Sequence, residues 1–129
     1  MSRIQRIAAA WWPAVLIMLG IFVFSSRPSS ALPNFGWADA IVKKGGHMLG
    51  FGVLALAYWR AWNWEPRRML HALLLTLFYA GTDEFHQSFV VGRHASAADV
   101  VLFDGTGAAL ALWVRQSVFP HEVGEPAGR

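Results

Sequence analysis

The chain contains no cysteine, which excludes disulfides, thiolate nucleophiles and cysteine-based metal sites. Charge is also scarce: charged residues make up 15% of the 129 residues, against roughly 25% in ordinary soluble domains. No internal repeat, low-complexity tract or His-Glu-x-x-His spacing is present. The net charge of +3 is not gathered into a basic stripe or an aromatic RNA-binding motif, so a nucleic-acid partner is not expected. What the chain does have is apolar: 55% of its residues are hydrophobic, with seven Trp and nine Phe. A soluble domain of this size cannot hide so much apolar surface, and lipid contact and interfacial belts can use it. The composition therefore reads as one integral membrane domain over residues 1–129.

Four apolar segments run from about Ala8 to Phe24, Gly46 to Ala61, Met69 to Phe85 and Ala97 to Val114. Each has roughly 16–18 residues, at the short end of what spans a bilayer. A segment in lipid must satisfy its own backbone, so helices are expected. Between them stand break signals: Arg27-Pro28-Ser29-Ser30 with Pro33-Asn34, Asn63-Trp64-Glu65-Pro66, and Gly92. The expected fold is all-α, an integral membrane bundle of four transmembrane helices at about 8–24, 46–61, 69–88 and 97–114, with a flexible tail over 120–129. The first segment also resembles a secretory signal peptide, with Arg3 and Arg6 before it and Ser29-Ser30-Ala31 after it. Its apolar run exceeds the usual core of about 7–15 residues, so an uncleaved anchor is expected.

Lys and Arg set the orientation. With the N-terminus inside, Arg3, Arg6, Arg60, Arg67, Arg68, Arg115 and Arg129 are cytoplasmic, and Arg27, Lys43, Lys44 and Arg93 are external; together they are the chain's 11 basic residues. The excess on one side places both termini in the cytoplasm. In either orientation the polar residues of three helices meet at one end: Lys43, Lys44 and His47; Asp83, Glu84, His86 and Gln87; and Arg93 with Asp99. Ionisable groups at membrane depth are expensive, so they pair, face polar cavities and mark function. At about 100° per residue, Asp83, His86 and Gln87 share one arc of their helix and Glu84 flanks it. Asp99 and Asp104, five residues apart, stand about 140° apart on an α-helix and are not expected in one pocket. Gly46-x-x-x-Gly50, Gly105-x-x-x-Ala109 and Gly107-x-x-x-Ala111 offer faces for close helix packing.

Two readings of the polar cluster follow. As a site, His47, Glu84 and Asp83 are the candidate acid–base groups, and Lys44, Gln87, Arg93, Asp99 and His86 the candidate ligand-binding groups. Arg93 with Lys43 and Lys44 suits a phosphate, so a lipid or cell-envelope precursor headgroup is the expected partner. As structure, the same residues are a buried ion-pair network that fixes helix register. The carboxylates and imidazoles suit a metal chemically, but no ligand spacing supports one, and no metal or cofactor is expected. A transporter would need a polar path across the bilayer, and the other halves of these helices are apolar. His71 is expected at the interface, His94 and His121 in solvent, and Tyr58 and Trp59 in the aromatic belt.

Lys44-x-x-His47-x-x-x-Phe51, Asp83-Glu84-Phe85-His86-Gln87-Ser88-Phe89, Gly92-Arg93, Asp99 and Asp104-Gly105-Thr106-Gly107 together resemble the VanZ-like family. The resemblance covers about Lys43 to Leu112. The family often has Pro before its Gly-Arg, where this chain has Val91, and Asn where this chain has Asp104. The resemblance implies a small polytopic protein of the bacterial inner membrane. The family's founding member is associated with resistance to the glycopeptide teicoplanin, so a cell-envelope setting is also implied. An oligomeric assembly and a non-catalytic accessory role stay open.

Overall fold

The computed structural model describes residues 1–120 and contains four principal helices among them. Of the flexible tail expected over 120–129, all but Pro120 lies outside the described residues, His121 included. The helices are α1, Arg3–Ser25; α2, Asp39–Ala61; α3, Met69–Gln87; and α4, Ala97–Val118. Three helical spans, Arg3–Ser25, Gly36–Ala61 and Ala97–Val118, are long and apolar enough to cross a membrane. The remaining helix, α3, has 19 residues and ends in Asp83-Glu84-Phe85-His86-Gln87, which dilutes its apolar run.

Two helices begin earlier than their apolar runs. Ser2 and Gln5 form a reciprocal capping box, with Ser2 N donating to Gln5 Oε1 at 2.7 Å and Gln5 N to Ser2 Oγ at 3.2 Å, so α1 starts at Arg3. Lys43 pairs with Asp39 at 2.7 Å one turn away, which supports the polar first turn of α2. Hydropathy alone misses both turns because neither is apolar.

Helix α2 is central and touches α1, α3 and α4. Its approach to α4 is set by glycine. A Cβ on Gly107 would lie 2.7 Å from Met48 Cα, and one on Gly52 would lie 3.1 Å from the Gly107 carbonyl oxygen and 3.3 Å from Ala111 Cβ. The Gly107-x-x-x-Ala111 face therefore packs as expected. The Gly46-x-x-x-Gly50 face does not: Gly46 has no such neighbour within 4 Å and Gly50 has only Ile21 Cγ1 at 3.9 Å.

The core lies mostly toward the end away from the polar residues and centres on Trp59, Phe51 and Leu54. Tyr58 and Trp59 belong to it and not to an exposed belt: Tyr58 is 2% exposed and Trp59 fully buried. Their polar ends are satisfied inside, Tyr58 O–H on Met18 Sδ at 3.1 Å and Trp59 Nε1 on the Glu65 carbonyl at 2.8 Å. That second bond pins the α2–α3 turn, in which Asn63 and Trp64 both take positive φ. Exposed apolar side chains such as Leu19, Leu49, Leu74 and Leu110 cover the outside of the bundle, where lipid would meet them.

Candidate functional site

The α1–α2 loop, the N-terminal end of α2, the C-terminal end of α3 with the loop after it, and the N-terminal end of α4 line a polar cavity of about 590 Å³. Lys44, His47, Glu84, Gln87, Arg93 and Asp99 all line it, as do Asp39, Lys43, His94 and Asp104. Six of the eight candidate side chains named from the sequence are thus brought together. Asp83 and His86 are not among the lining residues.

The arc shared by Asp83, His86 and Gln87 faces the end of α1. Asp83 Oδ2 accepts from Ser25 Oγ at 2.7 Å and from Gln87 Nε2 at 3.0 Å, and Asp83 is 4% exposed. His86 Nε2 lies 3.0 Å from Ser26 Oγ, and its ring stacks on Phe22 at 4.6 Å. These two residues tie α3 to α1. Ser25 and Ser26, their partners, carried one sequence signal: they are adjacent hydroxyls closing an otherwise apolar helix.

Glu84, on the flank of that arc, turns into the cavity. Its Oε1 accepts from the backbone N–H of Ser96, the residue just before α4, and so fastens the α3–α4 loop. Arg93, in the same loop, donates from Nε to the Arg27 carbonyl at 3.1 Å and from Nη2 to the Phe24 carbonyl at 3.0 Å. The Phe24 carbonyl is among the last of α1, where a guanidinium suits the helix dipole, and the Arg27 carbonyl lies just beyond the helix end. Among the described residues no carboxylate forms an ion pair with Arg93. Gly92 makes this path possible: its φ is +75°, and a Cβ there would meet Ser29 Cβ at 3.2 Å. Ser29 in turn donates to the carbonyls of Gly92 and Val91, so the backbone oxygen of Val91 is used in the loop.

His47 sits across the cavity, half-buried, with Nδ1 3.2 Å from Asp104 Oδ1. Asp104 is 2% exposed. The expectation that Asp99 and Asp104 diverge is corrected here. Residues Val100–Gly105 form a π-helical turn, in which bonding runs from i to i+5 and so sets residues five apart on one side. Both carboxylates consequently line the cavity. Lys44 Nζ lies 3.6 Å from Asp99 Oδ1 and 4.3 Å from the centre of the Phe103 ring. His94 is exposed, as expected, and also lines the cavity. Among the described residues no three His, Asp or Glu side chains cluster as metal ligands.

The arrangement has three chemical capacities. One is a carboxylate–imidazole pair, in which Asp104 holds Nδ1 and leaves Nε2 of His47 for a proton or a ligand. A second is a guanidinium anchored through Nε and Nη2 with no carboxylate countercharge. The third is a salt bridge, Lys44–Asp99, long enough to exchange partners.

A helical bundle with several spans apolar enough for a bilayer and ionisable groups gathered at one end defines a multi-pass membrane protein. The family described as VanZ/LLP1 matches residues 4–118, and the chain belongs to that family. No curated protein and no solved structure matches the chain.

Proposed function

We propose that the cavity binds the anionic, phosphate-bearing headgroup of a membrane lipid or lipid-linked envelope precursor. In this reading Arg93 and Lys44 bind the phosphate, Gln87 and Asp99 bind its polar substituents, and His47 with Asp104 is the pair equipped to move a proton. Glu84 holds the loop that carries Arg93. The carrying observation is a 590 Å³ cavity lined by Lys, Arg, His, Asp and Glu among helices that are otherwise apolar. A void of that size suits a headgroup, and charge at membrane depth without a ligand would be a standing cost. The cavity faces the outer side of a bacterial inner membrane in this proposal, with both chain termini in the cytoplasm.

A second reading has its own support: Lys43–Asp39, Lys44–Asp99 and His47–Asp104 already satisfy much of the cluster internally. Under it the protein is an accessory membrane factor and the pairs fix helix register. Native mass spectrometry separates the two. Purified protein offered phosphatidic acid, phosphatidylglycerol and phosphatidylcholine should retain the first two preferentially. Arg93→Gln and Lys44→Gln should each weaken that retention about tenfold, the loss of a charged hydrogen bond. Equal retention of all three lipids, with both variants losing thermal stability instead, establishes the accessory reading.

A further inference from the structure

A second cavity, of about 260 Å³, opens between α1 and α2. It is lined by Gly20, Ile21, Phe24, Gly46, Gly50 and Phe51, together with Ser25 and His47. His47 thus belongs to both cavities, polar on one side and apolar on the other.

The glycines of this crevice lack the packing reason that holds at Gly107 and Gly52. A Cβ on Gly107 or Gly52 would collide with or crowd a neighbouring helix. One on Gly20 or Gly46 would meet nothing within 4 Å, and one on Gly50 only Ile21 Cγ1 at 3.9 Å. Glycine inside a helix is less favourable than alanine. Three of them line one crevice that no side chain of the protein fills.

We propose that this crevice seats one hydrocarbon chain of the lipid whose headgroup occupies the polar cavity, with His47 at the junction. This inference rests on the headgroup reading above and names its ligand class: an amphiphile with a phosphate head and a chain that leaves sideways between α1 and α2. Lipid tails are as apolar as the slot, so seating a chain gains little hydrophobic energy. Its effect is alignment, because a chain held there fixes the head against His47. A rival exit lies between α3 and α4, where Glu84 also lines a crevice. That path is crossed by the bond from Ser96 to Glu84 and is flanked by Ser88, and one unpacked glycine, Gly81, lines it against three in the crevice between α1 and α2.

The test uses the full chain in phosphatidylcholine nanodiscs with phosphatidic acid carrying a mid-chain diazirine. Photolysis and peptide mass spectrometry should place adducts on Ile21, Phe24 and Phe51. Unlabelled phosphatidic acid should compete them away. Gly20→Leu and Gly50→Leu, neither of which lines the polar cavity, should each reduce those adducts at least fivefold. Binding of soluble sn-glycerol 3-phosphate should be unchanged in both variants, which also reports that they are folded. Adducts concentrated on Phe85 and Val101, or adducts indifferent to both leucines while glycerol phosphate still binds, overturn the slot and leave the headgroup reading intact. Slot adducts formed equally by a diazirine-bearing phosphatidylcholine mean bulk lipid occupancy and also overturn it. Failure of both glycerol phosphate and phosphatidic acid to bind removes the headgroup reading and this inference together.

Discussion

Asp104 and Asp83 are both buried acids, and their surroundings give them different work. Asp104 meets an imidazole; Asp83 meets a hydroxyl and an amide. Nδ1 of His47 held at 3.2 Å by Asp104 is expected to fix one tautomer, which ¹⁵N NMR of histidine-labelled protein reads directly. Asp104→Ala should produce a mixture of tautomers and cost about 1–3 kcal/mol, the range for leaving a buried polar partner unpaired. Asp104→Asn retains an acceptor and should keep the wild-type tautomer. A tautomer mixture in the wild type would show that Asp104 does not orient the ring. Asp83 acts on stability instead. Asp83→Ala removes the acceptor for Ser25 and Gln87 together and should cost about 2–3 kcal/mol in a detergent unfolding titration, against about 1 kcal/mol for Ser25→Ala. Neither change should alter which lipids are retained. A selective loss of phosphatidic acid in Asp83→Ala, without loss of stability, would return Asp83 to the site.

At the level of helices, the contact of α2 with α4 has little tolerance. A methyl on Gly107 would lie 2.7 Å from the Cα of Met48, a backbone atom that cannot rotate away. Gly107→Ala should therefore cost about 1–3 kcal/mol through overpacking. Gly46→Ala meets nothing and should be neutral or stabilising by up to about 1 kcal/mol. Mixed-micelle unfolding of the two variants checks this, and equal effects would mean that the helices are not in close contact. Sequence pattern carried the helices well because an apolar run between Pro, Gly and Asn signals is a strong cue. It carried the polar end of the bundle for the same reason: helix order alone sends Lys44, His47, Glu84 and Asp99 to one side. What it could not carry was local geometry. Two helix starts rest on a capping box and an ion pair in polar turns. The convergence of Asp99 with Asp104 rests on a π turn, and a fixed 100° step cannot register one. Which side of α3 met α1 depended on Ser25 and Ser26, whose hydroxyls have no periodicity of their own.

For the molecule as a whole, the open variable is which side of the membrane the cavity faces, since that decides which leaflet supplies the ligand. Among the described residues the cavity end carries Arg27, Lys43, Lys44 and Arg93, and the opposite end Arg3, Arg6, Arg60, Arg67, Arg68 and Arg115. Orientation follows the count of basic residues near helix ends. The larger group lies away from the cavity, so the cavity is expected to open outside the cell and the chain termini to lie within it. The chain's lack of cysteine makes this measurable, because a single introduced thiol has no background. Asn34→Cys, in the exposed α1–α2 loop at the cavity mouth, should react with a membrane-impermeant maleimide on intact cells. Glu65→Cys, in the exposed α2–α3 turn, should react only after permeabilisation. The reverse pattern would turn the bundle over. The headgroup would then come from the cytoplasmic leaflet, and a precursor still attached to its inner-face carrier would replace an external lipid as the expected ligand. Labelling at both positions in intact cells would show two populations, as a modest basic excess allows. The orientation would then be set by something other than these ten residues.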